Sequence, residues 1–166
     1  MKEPVGGRGG GFGLDAELER QKQLKYDHGA EAEVIQWITD VTHERPAAGQ
    51  SFGDWLHDGR VLCKLANTIQ AGTVRSVNTS TLAFKQMENI SSYLRGCRSV
   101  FGMAEHDQFE TVDLYEQKDL GLVVKQILAL ARTIQTTMPG YRGPVMGPRM
   151  AQPNVRPTIR LLFNMN

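Results

Sequence analysis

The residues that could perform chemistry are few, and their spacing builds no familiar active site. The four histidines have no cysteine, aspartate or histidine partner at a metal-binding or catalytic spacing, and no Gly-x-Ser-x-Gly elbow occurs. Cys63 and Cys97 lie in apolar periodic segments without a Cys-x-x-Cys spacing, which predicts buried, reduced thiols and neither a zinc site nor a disulfide framework. We therefore expect no enzymatic activity, no metal and no cofactor.

Asp113, Glu116 and Asp119, all between Phe109 and Leu120, raise the question of a cation site. These residues lack the Asp-x-Asp-x-Asp-Gly loop and the distal glutamate of an EF-hand. Capping of helix starts explains their positions better, because Asp113 and Glu116 have the spacing of a capping box and Asp119 precedes a long apolar stripe. We predict that Asp113 begins one helix and that Asp119 begins the next.

The N-terminal segment contains no recognisable phosphate-binding motif. Residues 1–13 hold six glycines around Arg8, a composition that cannot bury a core and predicts a disordered leader. No frame supplies the three glycines of Gly-x-Gly-x-x-Gly, and one arginine is too little charge for an RNA contact. Residues 14–27 are rich in helix formers and carry a weak apolar stripe, so we expect a partly docked helix there.

The overall charge is nearly balanced, with 19 lysines and arginines against 18 aspartates and glutamates. This balance gives no reason to expect binding to nucleic acid or to a membrane surface. No apolar run approaches the roughly 18 residues that a membrane helix needs, so the expected compartment is the cytoplasm. The charge is unevenly distributed, because from residue 139 onward all charged residues are arginines: Arg142, Arg149, Arg156 and Arg160.

Two long apolar stripes predict the helices that must position any functional side chain. One stripe runs from Phe84 to Phe101 with helical spacing and should end at Gly102 in a left-handed cap. The other runs from Leu120 to about Met138. Each stripe is long enough for a main helix of a packed bundle.

Two shorter stripes, over 34–41 and 61–69, predict two further main helices, the second with Asp58 as its N-cap. No segment alternates as a strand would. The expected fold is therefore all-α, a compact bundle of four main helices plus short connecting helices. The large aromatic residues on the stripes should fill its core: Trp37, Trp55, Phe84, Phe101 and Phe109.

Five blocks of the sequence, in the right order, resemble the calponin homology domain, and in particular the single-domain type found in calponin and transgelin. The matching blocks are 12–14 with 25–27, 33–38, 52–67, 84–89 and 111–120, and residues 141–144 resemble the segment that follows this domain in those proteins. The resemblance implies a non-enzymatic, helical cytoskeletal module whose usual partner is the actin filament. It divides the chain into the leader 1–13, a calponin homology domain 14–138 and a basic, Pro/Gly-containing tail 139–166.

The resemblance also has a departure, because no repeat of the calponin type, opening with Ile-Gly-Leu-Gln-Met-Gly, appears before Asn166. Such repeats are associated with much of the direct actin contact in relatives. An alternative function is therefore a protein adaptor for a signalling protein or for microtubules, with little direct actin binding. The expected location under either hypothesis is the cytoplasmic cytoskeleton.

Since the surface of actin is acidic, the expected contacts are basic residues on polar helix faces and in the tail. Two pairs, Lys22 with Lys25 and Arg95 with Arg98, each lie one helical turn apart. The tail is the stronger candidate because no acidic residue compensates its arginines. The full set of candidates is Lys22, Lys25, Lys85, Arg95, Arg98, Arg142, Arg149, Arg156 and Arg160.

Overall fold

The computed structural model describes residues 10–147, including the side chains from residue 13 onward. Over this range the chain forms seven α-helices and one short 3₁₀-helix, without strands. The helices are α1 (Gly10–Lys25), α2 (His28–Thr42), α3 (Phe52–Leu56), α4 (Arg60–Ile69), α5 (Ala83–Ser99), α6 (Thr111–Tyr115) and α7 (Leu120–Thr137), with the 3₁₀-helix at Glu105–Asp107. This architecture confirms the predicted all-α fold, in which the four main helices of the bundle are α2, α4, α5 and α7.

The four main helices share one apolar core. Helix α4 packs against both α5 and α2, and α7 packs against α2. Trp37, Leu62, Tyr93 and Ile127, one from each main helix, are at most 2% exposed. Burying an aliphatic side chain such as Leu62 stabilises a fold by about 1.5–3 kcal/mol, so the core holds the outer faces of these helices in fixed positions.

The aromatic residues expected in the core are buried with one exception. The buried members are Trp37, Trp55, Phe101 and Phe109. The prediction is wrong for Phe84, which is 62% exposed. Its position in the first turn of α5 explains the difference, since the first buried residues of that helix are Asn89 and Ile90.

Asp119 and Gly102 mark helix ends as predicted. The backbone N–H of Leu122 donates to Asp119 Oδ1 at 3.2 Å, so Asp119 caps the start of α7. Gly102 has a φ of 73°, in the left-handed region. The N–H of Met103 reaches back to the carbonyl of Cys97 at 3.0 Å, which closes the end of α5.

The predicted start of α6 at Asp113 is wrong. The helix begins at Thr111 with Glu110 as its N-cap, so Asp113 is its third residue. The Asp113 carboxylate accepts a hydrogen bond from the Glu110 N–H at 2.8 Å, and Glu116 lies at the far end of the helix. The error arose because Glu110 and Asp113 have the same three-residue spacing as Asp113 and Glu116.

The predicted start of α4 at Asp58 is also wrong. Gly59 is the N-cap, with a φ of 75°, and Asp58 accepts a hydrogen bond from the Arg60 N–H at 3.0 Å. A Cβ atom on residue 59 would lie 2.8 Å from the Cβ of Asn89 and 2.8 Å from the backbone nitrogen of Ile90. Both the left-handed backbone and the close approach of α5 therefore require glycine here.

Helix α1 differs from the expectation both in where it begins and in how it packs. It begins at Gly10, so the last four residues of the predicted leader are helical, while residues 1–9 lie outside the described part of the chain. Every side chain from residue 13 to Lys25 is exposed, so the expected partial docking is wrong. The first side chain that packs against the core is Tyr26, whose hydroxyl donates to the Glu31 carboxylate.

Candidate interaction surface

Arg95 and Arg98 form an exposed basic pair on α5. The opposite face of this helix is anchored in the core by Tyr93, Leu94 and Cys97, each less than 10% exposed. Neither arginine forms an ion pair with another residue of the described range. The structure therefore presents two uncompensated positive charges, one turn apart, on a rigidly held helix.

The second predicted basic pair, Lys22 and Lys25, lies on α1. Lys22 is 3.4 Å from Glu19 through an exposed ion pair on the same helix, while Lys25 has no ion pair within residues 13–147. Helix α1 is not among the helices that pack closely on one another. The two basic pairs therefore lie on very different supports, one on a helix fixed in the bundle and one on a helix whose described side chains, residues 13–25, are all exposed.

Lys85 is half-buried and lies close to two other side chains. Its ammonium lies 3.8 Å from the Glu88 carboxylate and 5.3 Å from the centre of the Phe84 ring. Phe84 and Leu82 beside it are 62% and 57% exposed, which makes an apolar patch at the start of α5. This patch was not predicted, because the spacing of an apolar stripe does not show which turn of the helix extends past the core.

Residues 139–147 pack against the helices, and we call this segment the C-terminal strap. The Trp37 indole N–H donates to the Pro144 carbonyl at 2.9 Å, and the Tyr141 hydroxyl donates to the same carbonyl at 3.0 Å. Tyr141 and Met146 are partly buried against the core. A cleft of about 500 Å³ remains between the strap and the ends of α2 and α4.

Arg142 is the one tail candidate that the structure describes. It is exposed, and its guanidinium donates to the Pro139 carbonyl at 3.0 Å, which fixes it within the strap. Arg149, Arg156 and Arg160 lie outside the described residues. The strap is the first part of the basic tail, and it lies beside the ends of α2 and α4.

The cysteine thiols and the possible metal ligands among the described residues are not arranged for a reaction. Cys63 and Cys97 are fully buried, and burial raises the pKa of each thiol to about 12. The thiolate, which is the reactive form, is therefore scarce at neutral pH. Within residues 10–147 no group of three histidine, cysteine or acidic side chains is placed to hold a metal ion.

The histidines follow the expectation that they lie at helix ends or in solvent. His28, His43 and His106 are exposed. His57 lies at the end of α3, where its ring stacks on Tyr115 with the ring centres 4.4 Å apart. The rings of His28 and His57 contact tyrosine rings, and His106 forms an exposed ion pair with Asp107. None of these contacts within the described range is a nucleophile–base pair.

The apolar segments of the structure belong to a packed bundle. Within the part of the chain that the structure describes, no helix combines the length and the apolar character needed to cross a membrane.

Comparison with known proteins identifies the family. The family model of the calponin homology (CH) domain matches residues 28–136. The chain is 40% identical to myophilin of Echinococcus granulosus over 145 residues, which covers 87% of this chain and 75% of that protein. It is 41% identical to muscle-specific protein 20 of Drosophila melanogaster over 119 residues, covering 72% of this chain and 64% of that protein.

A third relative shows the same domain within a much longer protein. Rac guanine nucleotide exchange factor B of Dictyostelium discoideum is 35% identical over 130 residues, which cover 78% of this chain and only 11% of that protein. Among solved structures, the calponin homology domain of Rng2 from Schizosaccharomyces pombe has a TM-score of 0.61 at 24% identity, covering 76% of this chain and 77% of that one.

A second solved structure, the calponin homology domain of an IQGAP protein from the same yeast, has a TM-score of 0.61 at 24% identity and covers 82% of this chain and 83% of that one. At this identity the two structures establish the fold, while the matched family model and the myophilin alignment establish the family. The chain therefore belongs to the calponin homology domain family, and within it to the calponin/transgelin type.

Proposed function

We propose that this chain is a non-enzymatic, actin-filament-associated protein of the cytoplasmic cytoskeleton, which organises filaments through its single calponin homology domain and its basic residues. Membership of the calponin/transgelin type supports the cytoskeletal, actin-associated role. The observation that carries the proposed contact is the uncompensated pair Arg95 and Arg98 on a helix fixed by the core.

The physical basis of this contact is electrostatic. A partner surface rich in carboxylates would attract Arg95, Arg98 and the arginines of the tail, and the rigid backbone of α5 would keep the cost of ordering the first two low. Charges on exposed surfaces are screened beyond about 8 Å at physiological ionic strength. Binding through these residues should therefore weaken as salt rises.

The absence of enzymatic activity is part of the proposal. Burial raises the pKa of both cysteine thiols to about 12. Three carboxylates and one hydroxyl accept hydrogen bonds from backbone N–H groups at helix starts, those of Asp27, Asp113, Asp119 and Ser51. These groups hold the shape of the domain, as expected for a binding module.

The contact can be tested by charge reversal on α5. We expect Arg95→Glu with Arg98→Glu to weaken cosedimentation with actin filaments about tenfold, since each lost exposed ion pair is worth up to about 1 kcal/mol. The matched control is Lys125→Glu with Arg132→Glu, which makes the same change of charge at two exposed positions of α7. Circular dichroism would show that both variants are folded. Equal binding by the two variants would remove the α5 pair as the contact.

The exposed patch of Leu82 and Phe84 favours a second candidate function, that of a protein adaptor. Exposed aromatic side chains often serve as anchors that fill a pocket of a protein partner. If the partner is tubulin or a signalling protein, Phe84→Ala should reduce binding to it and leave filament cosedimentation unchanged. Purified microtubules provide the first probe, and a loss of filament binding in this variant would assign the patch to actin instead.

A further inference from the structure

Helix α1 is a regular helix that packs closely on no other helix of the described residues 10–147. Its described side chains, residues 13–25, are all exposed, and Leu14, Leu18 and Leu24 are 63%, 49% and 79% exposed. The ion pairs within it, Glu17 with Arg20 at 3.9 Å and Glu19 with Lys22 at 3.4 Å, are exposed. Such pairs contribute only a few tenths of a kcal/mol, and a lone helix of about 16 residues is marginal in water.

One face of α1 has the spacing of a short coiled-coil seam. Leu14, Leu18, Gln21 and Lys25 follow one another at intervals of four, three and four residues. This alternation places all four side chains along one line of the helix, where a second helix can pack. The seam is less than two heptads long and half polar, so any pairing through it is weak.

The charges of α1 are separated along its length. The first half is acidic and the second half is basic, in the order Asp15, Glu17, Glu19, Arg20, Lys22 and Lys25. A helix with this distribution is complementary to a second copy of itself that runs in the opposite direction. Each acidic half then faces a basic half, and the two helix dipoles oppose.

The alternative parallel arrangement is disfavoured by the same residues. It would place like halves side by side and would bring Lys25 of one copy opposite Lys25 of the other in the seam. The antiparallel arrangement moves these two lysines to opposite ends, where the stem of each can cover Leu14 while its ammonium reaches solvent near Asp15.

We propose that α1 is a self-association surface, which pairs in an antiparallel manner with α1 of a second copy of this chain. The two calponin homology domains would then lie at opposite ends of a paired helix about 24 Å long, at 1.5 Å per residue. Such a dimer presents two domains that face away from each other, which is the geometry needed to join two partners.

Analytical ultracentrifugation of the full chain at concentrations up to about 1 mM, without filaments, tests this proposal independently of actin binding. One variant, Asp15→Lys with Glu17→Lys and Glu19→Lys, makes the helix wholly basic. The other, Arg20→Glu with Lys22→Glu and Lys25→Glu, makes it wholly acidic. We expect the natural chain to dimerise, each variant alone to dimerise at least tenfold more weakly, and an equimolar mixture of the two to form a heterodimer.

Three results would overturn the proposal. These are a natural chain that stays monomeric at about 1 mM, self-association that neither variant weakens, and loss of self-association that mixing does not restore. Because α1 lies outside the packed bundle, circular dichroism and thermal unfolding should show that both variants keep the fold of the domain.

Discussion

Helix α1 and the C-terminal strap flank the same domain and differ in opposite ways. Helix α1 has regular secondary structure, but none of its described side chains is buried. The strap has no regular secondary structure, yet Trp37 donates to its Pro144 carbonyl, and Tyr141 and Met146 pack against the core. Regular backbone structure and attachment to the domain are therefore separate properties, and only the second makes a segment part of the stable unit.

The difference leads to an ordered set of expectations for stability. Changes at the residue that joins the core to the strap should have the largest effect, changes within the strap a smaller one, and removal of α1 almost none. The measurement in each case is the free energy of unfolding from urea denaturation, followed by circular dichroism.

The largest effect is expected for Trp37→Ala. Trp37 is 2% exposed and also donates to the strap, so the substitution leaves a cavity and removes one of the two donors to the Pro144 carbonyl. We expect a loss of about 3–5 kcal/mol. Trp37→Phe is the matched control, since it keeps most of the ring packing and removes only the indole donor. Equal losses in the two variants would show that the hydrogen bond, and not the packing, dominates.

A smaller loss is expected when the chain is ended at Met138. This truncation removes the packing of Tyr141 and Met146 and leaves the Trp37 indole N–H without its acceptor. We expect a loss of about 1–3 kcal/mol, since one hydrogen bond contributes about 0.5–1.5 kcal/mol and the lost burial of the two side chains adds to it. A chain ended at Gly147 keeps the strap and is the control. If both truncated chains have the same unfolding free energy, the strap is not part of the stable unit.

Tyr141→Phe should have a still smaller effect. The variant removes one of the two donors to the Pro144 carbonyl, and Trp37 retains the other. A single hydrogen bond contributes about 0.5–1.5 kcal/mol, and the partial exposure of this one favours the lower end. A loss above that range would mean that the Tyr141 hydroxyl contributes more to the strap than one shared hydrogen bond to Pro144.

The smallest effect is expected on removal of residues 1–24. The described side chains of α1, residues 13–25, are all exposed, so the unfolding free energy should change by no more than about 0.5 kcal/mol. The total helical signal should fall in proportion to the residues removed. A loss comparable with that of the strap would contradict the comparison between the two segments.

The main helices were predictable because each buries a continuous apolar stripe, which on α5 includes Ile90, Leu94 and Cys97. The start of α6 was not, since two overlapping residue pairs have the spacing of a capping box and only packing selects between them. The docking of the strap has no periodic signature. Residues 141–144 resemble the segment that follows the domain in calponin and transgelin, and a buried tryptophan N–H needs an acceptor, but neither signal identifies the contact between them.

The interaction surface was predictable in part for similar reasons. Helical spacing correctly placed Arg95 and Arg98 one turn apart on an exposed face, and their role in binding stays a prediction. Spacing could not show that the described side chains of α1 are all exposed or that Phe84 lies outside the core. Both depend on where neighbouring elements end, which is a tertiary property.

Actin association is tested most directly by cosedimentation of the full chain with filaments at low and at physiological salt. We expect the chain to pellet with filaments at low salt and to bind more weakly at physiological salt, because the proposed contacts are exposed arginines. A chain that stays in the supernatant at low salt, while circular dichroism shows it to be folded, would contradict actin association. Binding that is unchanged by salt would contradict the electrostatic contact.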